Sequence, residues 1–213
     1  AWFSVFCKLL NQNREDRQRI ESKYSELVTE STMDPLTGVE NRKALRSYIS
    51  EHGKPASRTR ALMIDIDHFK QINDTRGHLF GDKILEQLGR QLKDGISEND
   101  CIFRFGGEEF CVIMPDTSED KSRKVAARLL RMARQISRQD ATVHPTNAKN
   151  QPLTISIGMS SLTKSDGETS FKELIHEADT ALYAAKETGR DRFCTFHEKM
   201  SERPDGETAN RNE

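Results

Sequence analysis

The segment CIFRFGGEEFCVIM, residues 101–114, restricts the fold more than any other part of the chain. Two apolar runs flank paired glycines, the pattern of a hairpin with its turn at Gly106 and Gly107. Glycine in a strand costs roughly 0.5–1 kcal/mol relative to alanine, a cost offset where a tight turn or close backbone approach is needed. The second run is apolar throughout 110–114, so it reads as a buried strand, yet Glu108 and Glu109 open it. Carboxylates seldom enter a core unpaired, so the fold must supply a counter-charge at this end of its sheet.

A second acidic strand end lies upstream. In MIDIDHFK, residues 63–70, Asp65 and Asp67 close an apolar run that begins at Ala61 and reads as a short buried strand. Placed beside the hairpin, that strand brings Asp65 close to Glu108. Two carboxylates about 4 Å apart repel by roughly 4 kcal/mol at an effective dielectric of about 20, and a proton or a divalent cation would neutralise them. No His/Cys cluster accompanies the acids, and oxygen-only ligation points to Mg2+ or Mn2+. A bland arrangement explains the same residues: Asp67 caps the next helix and Glu108 pairs with Arg104 or Lys70.

Around these runs the chain alternates element types. A turn over 34–38 precedes a helix with Ala44, Leu45, Tyr48 and Ile49 on one face. Ile84, Leu85, Leu88 and Leu92 mark a second helix, and 121–136 an amphipathic one with a basic outer face. After a polar stretch over 138–151 come a strand (LTISIGMSSL), a helix ended by Gly189 and a short strand (RFCTF). This order predicts an α+β fold, one mainly antiparallel sheet flanked by helices. With 34% hydrophobic and 31% charged residues the chain reads as a globular protein with a polar surface. Its 33 basic against 34 acidic side chains give no broad attraction to a nucleic-acid polymer, so a phosphate-bearing ligand must be held by local groups. Cys7, Cys101, Cys111 and Cys194 show no ligand spacing and read as reduced residues of a cytosolic protein.

Between the acidic strands, FKQINDTRGHLFGD (69–82) is a polar, glycine-bearing connection. Asn73, His78 and Asp82 within it have the donors and acceptors to read a base edge, and a carboxylate suits the paired N–H groups of guanine. Taken singly, Asn73 equally makes an Asx turn, Asp82 caps a helix and His78 is a surface residue.

Taken together, DPLTGVENR, DIDHFKQINDTRGHLFGD, RFGGEEF, ISIGMS and ADTALYAAKETGRDR stand in the order and spacing of the GGDEF family, the diguanylate cyclases, which the chain resembles over about 33–197. The resemblance implies a polymerase-palm, nucleotide-cyclase-like fold and condensation of two GTP to cyclic di-GMP and two pyrophosphates at a homodimer interface. By position, it implies metal ligation by Asp65, the Ile66 carbonyl and Glu108, with Glu109 assisting. Glu108 is also the implied base for the 3′-hydroxyl, and Lys70 the group that stabilises charge on the reacting phosphate. Gly106 and Gly107 make room for phosphates that Lys186 and Arg190 contact; Asn73, His78 and Asp82 match the guanine and nucleoside contacts. GGEEF is an active variant of the signature. A silent GTP-binding regulatory domain, or a cyclase with relaxed nucleotide choice, would share much of this pattern, although no signature acid or glycine is lost. The inhibitory product site of many members begins with an arginine nine residues before the first signature glycine; Ser97 stands there, with Asp100 at the second position, which predicts weak product inhibition.

Ahead of this domain, Phe3, Phe6, Leu10, Asn13, Arg17, Ile20, Tyr24, Leu27 and Ser31 follow a 3–4 spacing, expected as a weak parallel coiled coil over 1–32 leading from an upstream sensor or inner-membrane segment. Residues 198–213 lack apolar periodicity and read as a disordered tail to a cytoplasmic domain.

Overall fold

The computed structural model describes residues 32–139, 152–161 and 169–197, with Arg14, Arg17 and Lys23, which are helical and exposed. Those three and Thr32 apart, the expected coiled coil lies outside the described residues, as do Cys7, most of the polar stretch and the tail. The elements run β1 (Glu40–Asn41), α1 (Arg42–His52), β2 (Arg60–Ile66), α2 (Phe69–Arg76), α3 (His78–Asp94), β3 (Cys101–Arg104), β4 (Glu109–Met114), α4 (Glu119–Gln139), β5 (Ile155–Met159), α5 (Phe171–Glu187) and β6 (Phe193–Thr195). Among the described residues no helix is long and apolar enough to cross a membrane.

Apolar runs without alternation belong to strands covered on both faces. Accordingly β2 is buried along its whole length and lies inside a six-stranded sheet of order β1-β3-β4-β2-β5-β6. The three inner pairings are antiparallel, and the two edge pairings, β1 with β3 and β5 with β6, are parallel. The parallel edges, and β1 itself, were not foreseen, because a two-residue strand carries no periodicity.

Leu62, Ile64 and Ile66 of β2 face a core shared with α2, α3 and α4. Ala61 and Met63 face the other side, against α1 and α5. Each fully buried Leu or Ile contributes roughly 1.5–3 kcal/mol, so this two-sided burial fixes the register of β2 and with it the position of Asp65. Local signals set the helix starts: the Asn41 side chain accepts from the Lys43 and Ala44 amides at 2.9 and 3.0 Å, and Ser170 and Glu173 form a capping box.

One glycine governs how α5 lies. A side chain at Gly158 of β5 would collide with the α5 backbone at Ala178 and Leu182. Gly158 pairs with Met63, and Lys186 lies one helical turn beyond Leu182. Glycine there lets α5 rest on the sheet with Lys186 over the end of β2.

The polar connection over 69–82 is helical: α2, which the sequence pattern did not reveal, and the start of the expected helix α3 occupy it, turning at Gly77 with φ +83°. Its 3.6-residue period, Phe69–Ile72 and then Phe80–Ile84, is short and masked by polar neighbours. Helix α4 also runs on to Gln139, into the start of the polar stretch. Of the described cysteines, all free, Cys111 is buried, while Cys101 and Cys194 are partly exposed.

Candidate active site

Asp65 is the residue of β2 that pairs with Glu109 of β4. Because Ile64 and Phe110, the next pair, belong to the α2–α4 core, alternation turns Asp65 and Glu109 toward the α5 side. There the Lys186 ammonium meets the Asp65 carboxylate at 2.8 Å, with the Asp65 side chain only 7% exposed. Burial pushes the Asp65 carboxyl above its usual range, opposed by Lys186 and reinforced by the charges of Glu109 and Asp67. Glu108, one residue before the ladder, is pushed up to about 7, chiefly by burial and then by the Asp65 charge, with Lys186 opposing and Glu109 adding to the rise. Three carboxylates thus share one end of the sheet, as the two acidic strand ends led one to expect, and the Lys186 ammonium beside Asp65 is a counter-charge they did not foretell.

The hairpin tip is closed by the Phe105 and Gly106 amides, which donate to the Glu109 carbonyl at 2.8 and 3.2 Å. Neither signature glycine is left-handed, so a turn conformation alone does not call for them. A Cβ at Gly106 would stand 2.5 Å from Glu109 Oε2, whereas one at Gly107 would meet nothing within 4 Å. Gly106 makes room for a signature acid; Gly107 leaves open space over the tip.

Glu108 is not paired with Arg104. That guanidinium donates to both carboxylate oxygens of Asp34 at 2.9 and 3.0 Å and to the Gly107 carbonyl at 2.8 Å. Burial alone would raise the Asp34 pKa, but hydrogen bonds from Thr37 and Arg104 hold it below the usual carboxylate range. This pair ties the hairpin tip to the turn at the domain's entrance. Sequence reasoning missed it, although an acid in DPLTG and an arginine beside the glycines were its signal.

Asp67 does not cap α2, whose N-terminal flanking residue, His68, is left-handed and makes no side-chain cap. Its carboxylate accepts from Ser156 Oγ and Thr154 Oγ1 at 2.7 Å each and from the Asp191 amide at 3.0 Å. Arg190 lies beside it: Asp67, His68, Ile72, Gly189, Arg190 and Asp191 line a cavity of about 290 Å3.

Since α2 starts just past β2, exposed Lys70 stands in its first turn. Asn73 follows on α2, while His78 and Asp82, both exposed, lie one turn apart on α3. Asp82 is therefore inside a helix and not its cap. Gly81 packs against the Asn73 carboxamide, where any larger residue would clash. Asn73 Oδ1 is buried and has no hydrogen-bond partner among the described residues. A buried acceptor left unsatisfied costs about 1–3 kcal/mol, which a bound N–H donor would recover.

Among the described residues no three His, Cys, Asp or Glu side chains form a metal cage by themselves. The donor set instead suits a hard cation that keeps open positions: two carboxylates at raised pKa, Asp65 and Glu108, interact at the end of β2. Mg2+ and Mn2+ bind in this way through one or two carboxylates with substrate phosphates completing the shell.

The chain matches the family model for "Diguanylate cyclase, GGDEF domain" over residues 31–192. It is 35% identical over 188 residues to diguanylate cyclase DgcP of Pseudomonas aeruginosa, covering 86% of this chain and 27% of that protein. It is 34% identical over 199 residues to diguanylate cyclase DosC of Escherichia coli, covering 89% of this chain and 41% of that protein. The chain therefore spans less than half the length of these two relatives. Among solved structures, it superposes on the coiled coil and GGDEF domain of DgcB from Caulobacter crescentus, crystallised with cyclic di-GMP. The TM-score is 0.69 at 28% identity, covering 87% of this chain and 96% of that one.

Proposed function

The chain belongs to the GGDEF family of diguanylate cyclases, and on that premise we propose that it condenses two GTP molecules to cyclic di-GMP and two pyrophosphates. The observation that carries this reading is the acid cluster itself: Asp65 opposite Glu109, Glu108 beside them, and Lys186 2.8 Å from Asp65.

Mg2+ or Mn2+ held by Asp65, the Ile66 carbonyl and Glu108, with Glu109 assisting, would supply charge for the triphosphate and lower the pKa of the attacking hydroxyl. Glu108, raised toward neutral pH, takes the 3′-hydroxyl proton. The 3′-oxygen of one GTP bonds to the α-phosphorus of the other as the bond from that phosphorus to the pyrophosphate oxygen breaks. Lys70 offsets the charge growing on the reacting phosphate. Lys186 moves from Asp65 to the leaving phosphates, where Arg190 joins it, and Gly107 leaves the space they need. Asn73 Oδ1 accepts from guanine, with Asp82 and His78 as further nucleoside contacts.

Each domain offers one such set of groups, so reciprocal attack needs two domains face to face and the working unit is a homodimer. A helix over 1–32 would raise the effective concentration of one half-site for the other, and its link to the domain at 33 stands beside the Asp34–Arg104 pair. GTP as substrate makes this a cytoplasmic domain.

The test is to incubate the chain with GTP and Mg2+ and follow cyclic di-GMP against protein concentration, with Glu108→Ala as control. Product that rises more steeply than first order and vanishes in the control supports the dimeric cyclase. Bound GTP without product at any concentration points instead to a regulatory domain.

A further inference from the structure

The turn that carries Arg190 is held in an unfavourable backbone conformation. Gly189, Arg190 and Asp191 have φ of +117°, +59° and +51°. Two successive non-glycine residues in the left-handed region need support from outside the turn. Within it, the Arg190 amide donates to the Ala185 carbonyl at 3.0 Å and Arg192 Nε donates to the Arg190 carbonyl at 2.9 Å. From outside come two further anchors, on different elements, and both grip Asp191.

The first is Asp67, 4% exposed, which accepts the Asp191 amide at 3.0 Å while Thr154 and Ser156 donate to the same carboxylate. The second is Arg134 of α4, whose Nε donates to both Asp191 carboxylate oxygens at 2.8 and 3.0 Å and whose Nη2 donates to the Asp191 carbonyl at 3.2 Å. Asp67 stands between Ile66, the last residue of β2, and left-handed His68, with φ +58°, ahead of α2. The carboxylate thus joins the strand end that carries Asp65 to the turn that carries Arg190, and Arg134 closes the far side.

We propose that Asp67 and Arg134 are positioning residues for Arg190. They fix the turn so that its guanidinium reaches the phosphate end of the nucleotide, and they touch no substrate themselves. Asp67, the second acid of MIDID, is on this reading a clamp and not a third metal ligand: each of its two oxygens accepts a 2.7 Å hydroxyl bond. The proposal rests on Arg190 contacting phosphate, as set out above.

The test compares the full chain with Arg134→Gln, Arg190→Ala and the double variant, by calorimetric titration with GTP and with guanosine, together with KM and kcat. Arg134, its side chain 42% exposed, can be replaced with little risk to folding. Losing a charge-assisted contact at the phosphates is worth about tenfold. Arg134→Gln is therefore expected to weaken GTP binding and raise KM several-fold, to leave guanosine binding unchanged, and to add less than about twofold in the Arg190→Ala background. Asp67→Asn, which cannot satisfy the same donors, is expected to show the same dependence on Arg190. Arg190→Ala without effect on GTP binding would remove both the phosphate role and the clamp. A normal response to Arg190→Ala, with an Arg134→Gln effect that persists in the double variant or extends to guanosine, would overturn the clamp alone.

Discussion

Two short turns flank β3, and each carries an acid. In the turn before it, buried Asp100 accepts the Ser97 amide at 2.9 Å while its own amide donates back to the Ser97 carbonyl at 2.9 Å. In the turn after it, Glu108 is half-buried, faces Asp65 and Glu109, and is pushed up to about 7. Asp100 closes its own turn through Oδ2, and its Oδ1 is buried without a hydrogen-bond partner among the described residues, with no second acid against it. Glu108 is set against the charges of two other acids, and such clustered charge is what marks a site for a cation or a proton.

The largest effect should come from exchanging the two acids' fates. Glu108→Gln is expected to reduce cyclic di-GMP formation by about 10²–10⁴-fold, as loss of a general base does. Asp100→Asn should do the opposite, lowering stability by about 1 kcal/mol in denaturant titration and leaving kcat/KM within about twofold. An inactive Asp100→Asn, or an active Glu108→Gln, would break the comparison.

Next in size is Lys186→Met. Removing the ammonium that faces Asp65 should weaken GTP binding about tenfold yet tighten the binding of Mn2+ alone, read by electron paramagnetic resonance. Equal loss of both would mean that Lys186 is not the counter-charge the metal displaces.

The Ser97 turn sharpens the same contrast. With serine in place of the inhibitory arginine and Asp100 turned inward on the Ser97 amide, product inhibition should be weak. A submicromolar non-competitive inhibition constant for cyclic di-GMP would show that other cations do this work.

The smallest effect is on stability against pH. Because the fold raises the Glu108 pKa from 4.5 to about 7, the folded state holds that proton more tightly than the unfolded chain. The resulting stabilisation is fully present below pH 4.5 and lost as pH rises through 7. Wild-type melting temperature should therefore decline across this window relative to Glu108→Gln, and saturating Mg2+ should offset the decline above pH 7.

Much of the architecture was legible along the chain. The unalternating runs at 61–66 and 110–114 required strands covered on both faces, and the signature acids at their ends foretold the cluster. The helical hairpin over 69–82 was hidden because α2 is short and largely polar, so its helical state depends on packing Phe69 and Ile72 into the sheet. Strand β1, with two residues, had no period to read.

What the sequence determined by itself is which chemical groups are present and where the chain must turn: carboxylates at strand ends, glycines at the tip, cations in the last turn of α5 and just beyond it. Only the tertiary structure decided which acid meets which base. Asp34 takes Arg104, 70 residues away, Asp65 takes Lys186, and Asp67 reaches 124 residues to the Asp191 amide. Such partners are chosen by strand register and by how closely α5 can lie on Gly158. Those are properties of packed surfaces, which no local stretch of sequence contains.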